Sequence, residues 1–139
     1  MDLEAASGST VALSVAEPRA LRMTMSAADI SSIIAERRSR YKFFPANIFS
    51  DPAWDILLEL YASEVTQIRV TTSTLCTAVP VPFTTALRWI NTLEREELIC
   101  RRKDPVDGRR IFVALSAKGV VAMDAYFESS ANSLTCRAL

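Results

Sequence analysis

The stretch from Val79 to Leu115 constrains the fold of this chain more than any other. Pro80 and Pro82 interrupt one helix and allow the next to begin, because proline lacks a backbone N–H and suits a first helical position. Apolar residues then recur every three or four positions, which predicts a helix from Pro82 to about Glu96. Its buried stripe is expected to comprise Phe83, Ala86, Leu87, Ile90 and Leu93.

The other side of this helix carries polar side chains, namely Thr84, Thr85, Arg88 and Asn91. Hydroxyls and an arginine near a helix N-terminus can reach phosphates and the base edges of a DNA major groove. A shorter helix should precede the prolines, capped by Thr72 or Ser73, so that the two helices form a helix-turn-helix. The start of the shorter helix adds Ser73 and Thr74 as candidate DNA contacts.

A charged hairpin is predicted after the second helix. Strand-like segments at positions 98–103 and 111–115 flank two turn signals, Asp104-Pro105 and Asp107-Gly108. Gly108 is expected to allow a tight turn by accepting a positive φ. A helix-turn-helix followed by such a hairpin is typical of a winged helix-turn-helix.

The hairpin is rich in basic side chains. Arg109 and Arg110 follow the turn, and a narrow minor groove attracts arginine. Arg101, Arg102 and Lys103 fit phosphate contacts, which position a protein on DNA. Because side chains alternate across a strand, these three cannot all face DNA.

The predicted fold is mainly α with a small antiparallel β wing. Residues 1–25 are interpreted as a mobile N-terminal tail, and residues 26–139 as a single winged-helix domain with terminal helices for dimerisation. The remaining predicted elements are a helix capped by Ser26 up to about Lys42, a core helix from Asp51-Pro52 to about Thr66, a short strand at 68–71, and a last helix capped by Ser116.

The overall charge argues mildly against a nucleic-acid partner. The 139 residues contain 16 Lys plus Arg and 16 Asp plus Glu, whereas DNA-binding domains are usually basic. The bases are concentrated at positions 37–42 and 101–110, and acids predominate at positions 1–17. We interpret Arg37, Arg38 and Arg40 as a solvated face, with proximity to DNA as the alternative. No signal peptide or membrane span is evident, so a cytoplasmic location is expected.

The composition excludes several classes of site. There is no histidine, so a Ser-His-Asp or Cys-His arrangement cannot form, and we expect neither an enzyme nor a cofactor. Cys76, Cys100 and Cys136 lack metal-site spacing, which argues against zinc. Cys76 and Cys100 are interpreted as small buried residues, with a redox-sensing thiol as the alternative.

The central region resembles the MarR-type winged-helix family of bacterial regulators. The resemblance covers roughly positions 51–126 and rests on positions 84–95 and 98–102, an Asp-Pro-x-Asp-x-Arg-Arg wing at 104–110, and Leu-Ser-x-x-Gly at 115–119. It implies a homodimer with recognition helices in successive major grooves and wings in the flanking minor grooves. Two departures are Glu97, where the family usually has glycine, and a short C-terminal region, which puts the usual ligand pocket in doubt.

Matched residue by residue, the resemblance places Thr85 and Arg88 on the recognition-helix contacts and Arg109 or Arg110 on the wing arginine. Asp107 matches an acid that braces the wing through an arginine. We expect Asp107 to pair with one arginine and to leave the other available for DNA. The partners expected are therefore double-stranded DNA and a second copy of the chain, with no membrane; any small-molecule effector is unknown.

Two other functions remain open. One is a winged-helix module that contacts only proteins, and the other is a redox-responsive regulator using Cys100 or Cys76. Trp89 is expected to pack in the core or at a dimer contact rather than against a base. The apolar faces at 30–41 and 120–134, including Tyr126 or Phe127 and Leu134, are expected to pack across a two-fold axis without being needed to fold the central unit.

Overall fold

The computed structural model describes residues 25–45 and 51–138, and side chains up to residue 129. Residues 1–24 of the predicted N-terminal tail and the side chain of Leu134 therefore lie outside what is described, whereas Met25 is partly buried against the core. The helices of this part are α1 (Ala27–Ser39) with a 3-10 turn (Arg40–Lys42), α2 (Pro52–Thr66), α3 (Thr72–Ala78), α4 (Phe83–Arg95) and α5 (Ala117–Ala138). None of them is long and apolar enough to cross a membrane.

A small antiparallel sheet completes the fold, as predicted. Its strands are β1 (Val70–Thr71), β2 (Ile99–Lys103) and β3 (Ile111–Leu115), with β3 in the middle. Val113 and Leu115 are buried, so the alternation of side chains along β3 turns Phe112 and Ala114 to the other face. The hairpin formed by β2, β3 and the turn between them is called the wing below.

Helix α2 lies at the centre of the core, as its periodicity predicted. Ile56, Leu58, Leu60 and Tyr61 are all fully buried. Among the described residues, thirteen further buried apolar side chains surround them, from every other helix, from β2 and β3, and from Val79 just after α3. The core therefore joins the helix-turn-helix and the wing in one packed unit.

The terminal helices contribute side chains to this core, which the expectation that they are not needed for folding did not foresee. Ile30 of α1 is fully buried, and Met123 and Phe127 of α5 are nearly so. Phe127 rather than Tyr126 faces inward, and its ring stacks on Tyr61 at 5.3 Å. The Tyr61 hydroxyl also donates to the buried Asp124 carboxylate, which ties α5 to α2.

The basic end of α1 contacts α2, so it is not a purely solvated face. Arg37 Nε lies 2.8 Å from Asp55 Oδ1, and Arg38 pairs with Glu59 and donates to the Ala78 carbonyl at the end of α3. Burial raises the pKa of Glu59, an effect that Arg38 opposes. Arg37 and Arg38, which were predicted to belong to a solvated face, therefore connect helices instead.

The starts of α3 and α4 differ from the predicted caps. Thr71, rather than Thr72 or Ser73, caps α3 by accepting from the Thr74 N–H at 3.2 Å, because Thr71 still has the extended backbone of β1. Pro82 is the N-cap of α4 rather than its first helical residue. Phe83 is 49% exposed, so of the five residues predicted to be buried on α4 only Ala86, Ile90 and Leu93 are.

Candidate nucleic-acid interface

The outward face of α4 carries the predicted polar residues. Thr84 and Arg88 are exposed, and Thr85 is half-buried. Arg88 lies about one helical turn after the two threonines, on the same side of α4. Within the described part of the chain, Arg88 has no ion-pair partner, so its charge is available to a ligand. Trp89 is 38% exposed at the edge of this face, so it is not a core residue.

A cleft of about 470 Å³ connects α4 to the start of α3 and to the wing. It brings together residues that are far apart in sequence: Thr71, Thr72, Ser73, Thr74, Phe83, Leu87, Arg109, Arg110 and Ile111. Four of the predicted site residues, Ser73, Thr74, Arg109 and Arg110, therefore line one concave surface. The Thr74 hydroxyl accepts from Thr71 at 2.9 Å and keeps its own proton to donate.

The tip of the wing is held by its own acids. Asp107 accepts from both the backbone N–H and the side chain of Arg109 at 3.1 Å, and the Arg109 hydrogen bonds hold the pKa of Asp107 below its usual value. The Arg109 side chain is nevertheless 92% exposed. The wing therefore presents a charged but oriented arginine at its surface.

Arg110 is also paired, so the expectation of one unpaired wing arginine is wrong. Its Nη1 lies 3.7 Å from Asp104 Oδ2, and Asp104 is buried at the base of the wing, where its Oδ1 accepts from the Val106 N–H at 2.8 Å. Gly108 does not have a positive φ. The turn is closed by carboxylates and by the Arg110 N–H to Asp107 carbonyl hydrogen bond instead.

The three basic residues of β2 differ in exposure: Arg101 is half-buried, and the other two are exposed. Arg101 points inward, where its Nη2 donates to Asn91 Oδ1 at 2.7 Å and pairs with Glu94, so it is not available for phosphate. Because its Oδ1 accepts this hydrogen bond, Asn91 is not a freely exposed polar side chain of α4. Arg102 and Lys103 are exposed and form no ion pair in the described residues.

Glu97 adopts the left-handed conformation with a φ of 64°, at the position where the resembled family usually has glycine. Its carbonyl accepts from the Ser116 hydroxyl at 2.6 Å, and the Ser116 N–H donates to the Leu98 carbonyl. Ser116, just before α5, therefore forms hydrogen bonds beside Glu97, whose left-handed backbone conformation is unfavourable for a residue with a side chain.

The two cysteines with described side chains differ in accessibility. Cys76 is buried in α3, and this burial raises the pKa of its thiol. Cys100 is exposed on β2, so its expected burial is wrong. A reactive thiol at Cys76 is disfavoured, because reactivity requires the thiolate.

No protein-family model matches the chain, and no curated protein matches it in sequence. Solved structures do match. A mutant of MepR from S. aureus is 22% identical over 81% of this chain and 85% of its own, with a TM-score of 0.51. MepR in its DNA-binding conformation gives 21% identity, the same coverage and a TM-score of 0.51.

This chain has the winged helix-turn-helix fold. AdcR from Streptococcus pyogenes also matches, with 22% identity and a TM-score of 0.44. The match covers 65% of each chain, so this chain spans slightly less than two thirds of the length of AdcR. The matched proteins MepR and AdcR are winged-helix transcriptional regulators of the MarR family. The helices, the small antiparallel sheet and the match to MepR confirm the predicted fold class.

Proposed function

We propose that this chain is a MarR-type, DNA-binding transcriptional regulator and not an enzyme. The observation that carries the proposal is the single surface formed by α3, α4 and the wing. The proposed DNA contacts are Ser73, Thr74, Arg109 and Arg110 around the cleft, Thr84, Thr85 and Arg88 on α4, and Arg102 and Lys103 on β2. The DNA-binding conformation described for MepR, which shares the fold, supports the same use here.

The distribution of ion pairs supports this proposal despite the zero net charge. Acids neutralise bases where α1 meets α2, as in Arg38 with Glu59, and they also pair with three arginines of the wing, namely Arg101, Arg109 and Arg110. Arg88, Arg102 and Lys103, in contrast, form no ion pair in the part of the chain that is described. An uncompensated positive surface attracts phosphates, and this local property matters more than the sum of charges.

The geometry suggests which groove each element would enter. Helix α4 is exposed along Thr84 and Arg88, and helices of this type lie in the major groove with N-terminal residues near the base edges. Arg109 projects from the wing and would enter the adjacent minor groove. The Asp107 contact would fix the direction of that arginine.

The proposal includes a homodimer. One α4 and one wing cover a single half-site, and dimers of this class bind half-sites about one helical turn apart. The outer face of α5 is apolar where Val121 and Tyr126 are 57% and 51% exposed. A second copy packed on this face would bury side chains that one copy leaves in water.

Selection of bound fragments from the source genome tests the proposal directly. We expect enrichment of a roughly palindromic site, binding that weakens steeply as salt rises, and a dimer in sedimentation at micromolar concentration. A protein–protein module without DNA binding would give no enrichment and no salt dependence. A monomer that binds the selected site tightly would contradict the dimer alone.

A further inference from the structure

The wing carries a cluster that the sequence did not reveal. The Arg69 guanidinium lies 5.1 Å from the centre of the Phe112 ring, and the Arg110 guanidinium lies 5.3 Å from the same centre. Arg69 belongs to the segment just before β1, whereas the other two belong to the wing. The guanidinium groups of Arg69 and Arg110 therefore both contact the Phe112 ring and lie within about 10 Å of each other.

A third arginine extends this cluster across the sheet. Arg102 is the residue directly opposite Phe112 in the β2–β3 register, on the face that turns away from the buried Val113. Phe112, Arg69 and Arg102 line a common groove of about 480 Å³. The outer face of the sheet thus has an aromatic ring with Arg69 and Arg110 against it and Arg102 opposite it in register. Glu64 also lines the groove.

Arg69 differs from Arg110 in one respect. Arg110 is partly neutralised by Asp104, but Arg69 is exposed and forms no ion pair among the described residues. Arg69 lies against the face of an uncharged ring, which orients the guanidinium and leaves its positive charge and its N–H donors available. An oriented arginine loses less entropy when its planar guanidinium binds an anion such as phosphate.

We propose that Arg69 is a further DNA-contacting residue that binds a backbone phosphate beside the wing, with Phe112 as its positioning residue. The inference rests on the proposed function. The groove that holds Arg69 and Arg102 would follow the phosphate backbone next to the groove entered by Arg109. The contact would strengthen binding to any sequence equally, because phosphates carry no sequence information.

The test is the salt dependence of binding to a labelled duplex of mixed sequence. For Arg69→Gln, the slope of log affinity against log salt should decrease in magnitude by about 0.9, the value for one lost phosphate contact. Arg69→Lys should keep the slope but bind more weakly, because lysine lacks the planar group that stacks on the ring. Phe112→Leu should also weaken binding, while melting curves establish that it remains folded.

Lys118→Gln is the matched control, because Lys118 is an exposed cation that contacts the end of α4 through the Glu96 carbonyl. Its slope should equal that of the wild type. An unchanged slope for Arg69→Gln, with steep salt dependence in the wild type, would overturn the role of Arg69 and leave the proposed function intact. Absence of salt-dependent binding by the wild type would overturn both.

Discussion

Gly119 lies directly against the carbonyl oxygen of Leu98. A Cβ atom built on Gly119 would be 2.1 Å from that oxygen, far inside van der Waals contact, and 3.1 Å from the carbonyl carbon. The same carbonyl accepts from the Ser116 N–H at 2.9 Å. The Leu-Ser-x-x-Gly sequence therefore permits α5 to begin in contact with the segment that leads into the wing.

Gly119→Ala should consequently destabilise the protein, although alanine is the better helix former. We expect a loss of about 1–3 kcal/mol in the free energy of unfolding, because the backbone at Leu98 must shift to admit a methyl group. Gly108→Ala is the control, since nothing lies within 4 Å of its added Cβ. Denaturant unfolding that ranked the two variants equally would contradict the close-contact explanation.

Arg88 should contribute to sequence discrimination. Arg88→Ala is expected to weaken binding to the selected site by about 1–3 kcal/mol and to relax the preference at one position, if its guanidinium reads a base edge. Affinities for the selected and a scrambled duplex provide the measurement. Equal losses on both duplexes would reduce Arg88 to a phosphate contact.

Arg101 and Arg102 are neighbours in sequence but should have opposite phenotypes. Arg102→Gln should decrease the magnitude of the salt slope by about 0.9 without affecting folding. Arg101→Gln should keep the slope but lower the free energy of unfolding by about 0.5–1.5 kcal/mol, because its hydrogen bonds to Asn91 and Glu94 are lost. A reduced slope for Arg101→Gln would show that this arginine leaves its partners to reach DNA.

Asp107 should matter for binding more than for stability. The lowered pKa means that its stabilising effect is present above the ordinary value of 3.8 and is lost as pH falls through the lower folded-state pKa. At neutral pH, Asp107→Ala should leave the melting temperature almost unchanged, because the pair is exposed, yet reduce DNA affinity by releasing Arg109. Tighter binding by this variant would mean that charge repulsion outweighs orientation.

Asp104→Ala is the natural comparison for the wing. Asp104 is buried and its carboxylate accepts from the Val106 N–H, so its loss should lower the melting temperature as well as the affinity. If both aspartate variants melted like the wild type, the wing would fold without help from either carboxylate.

The sequence by itself determined the order and type of the described elements. The apolar period after Pro52 and Pro82, the prolines themselves and the Asp-rich turn act over a few residues, so helix, turn and wing could be read locally. The same local pattern placed Thr84 and Arg88 on the outer side of α4.

The tertiary structure decided which polar side chains are used internally. Arg101 forms hydrogen bonds with Asn91 and Glu94, and Arg110 pairs with Asp104. Arg69, just before β1, lies over the Phe112 ring of β3. A charged residue on a strand looks the same in sequence whether its partner is a neighbouring helix or a ligand. Only packing brings distant acids and rings within reach, and so decides which positive charges remain available to a ligand.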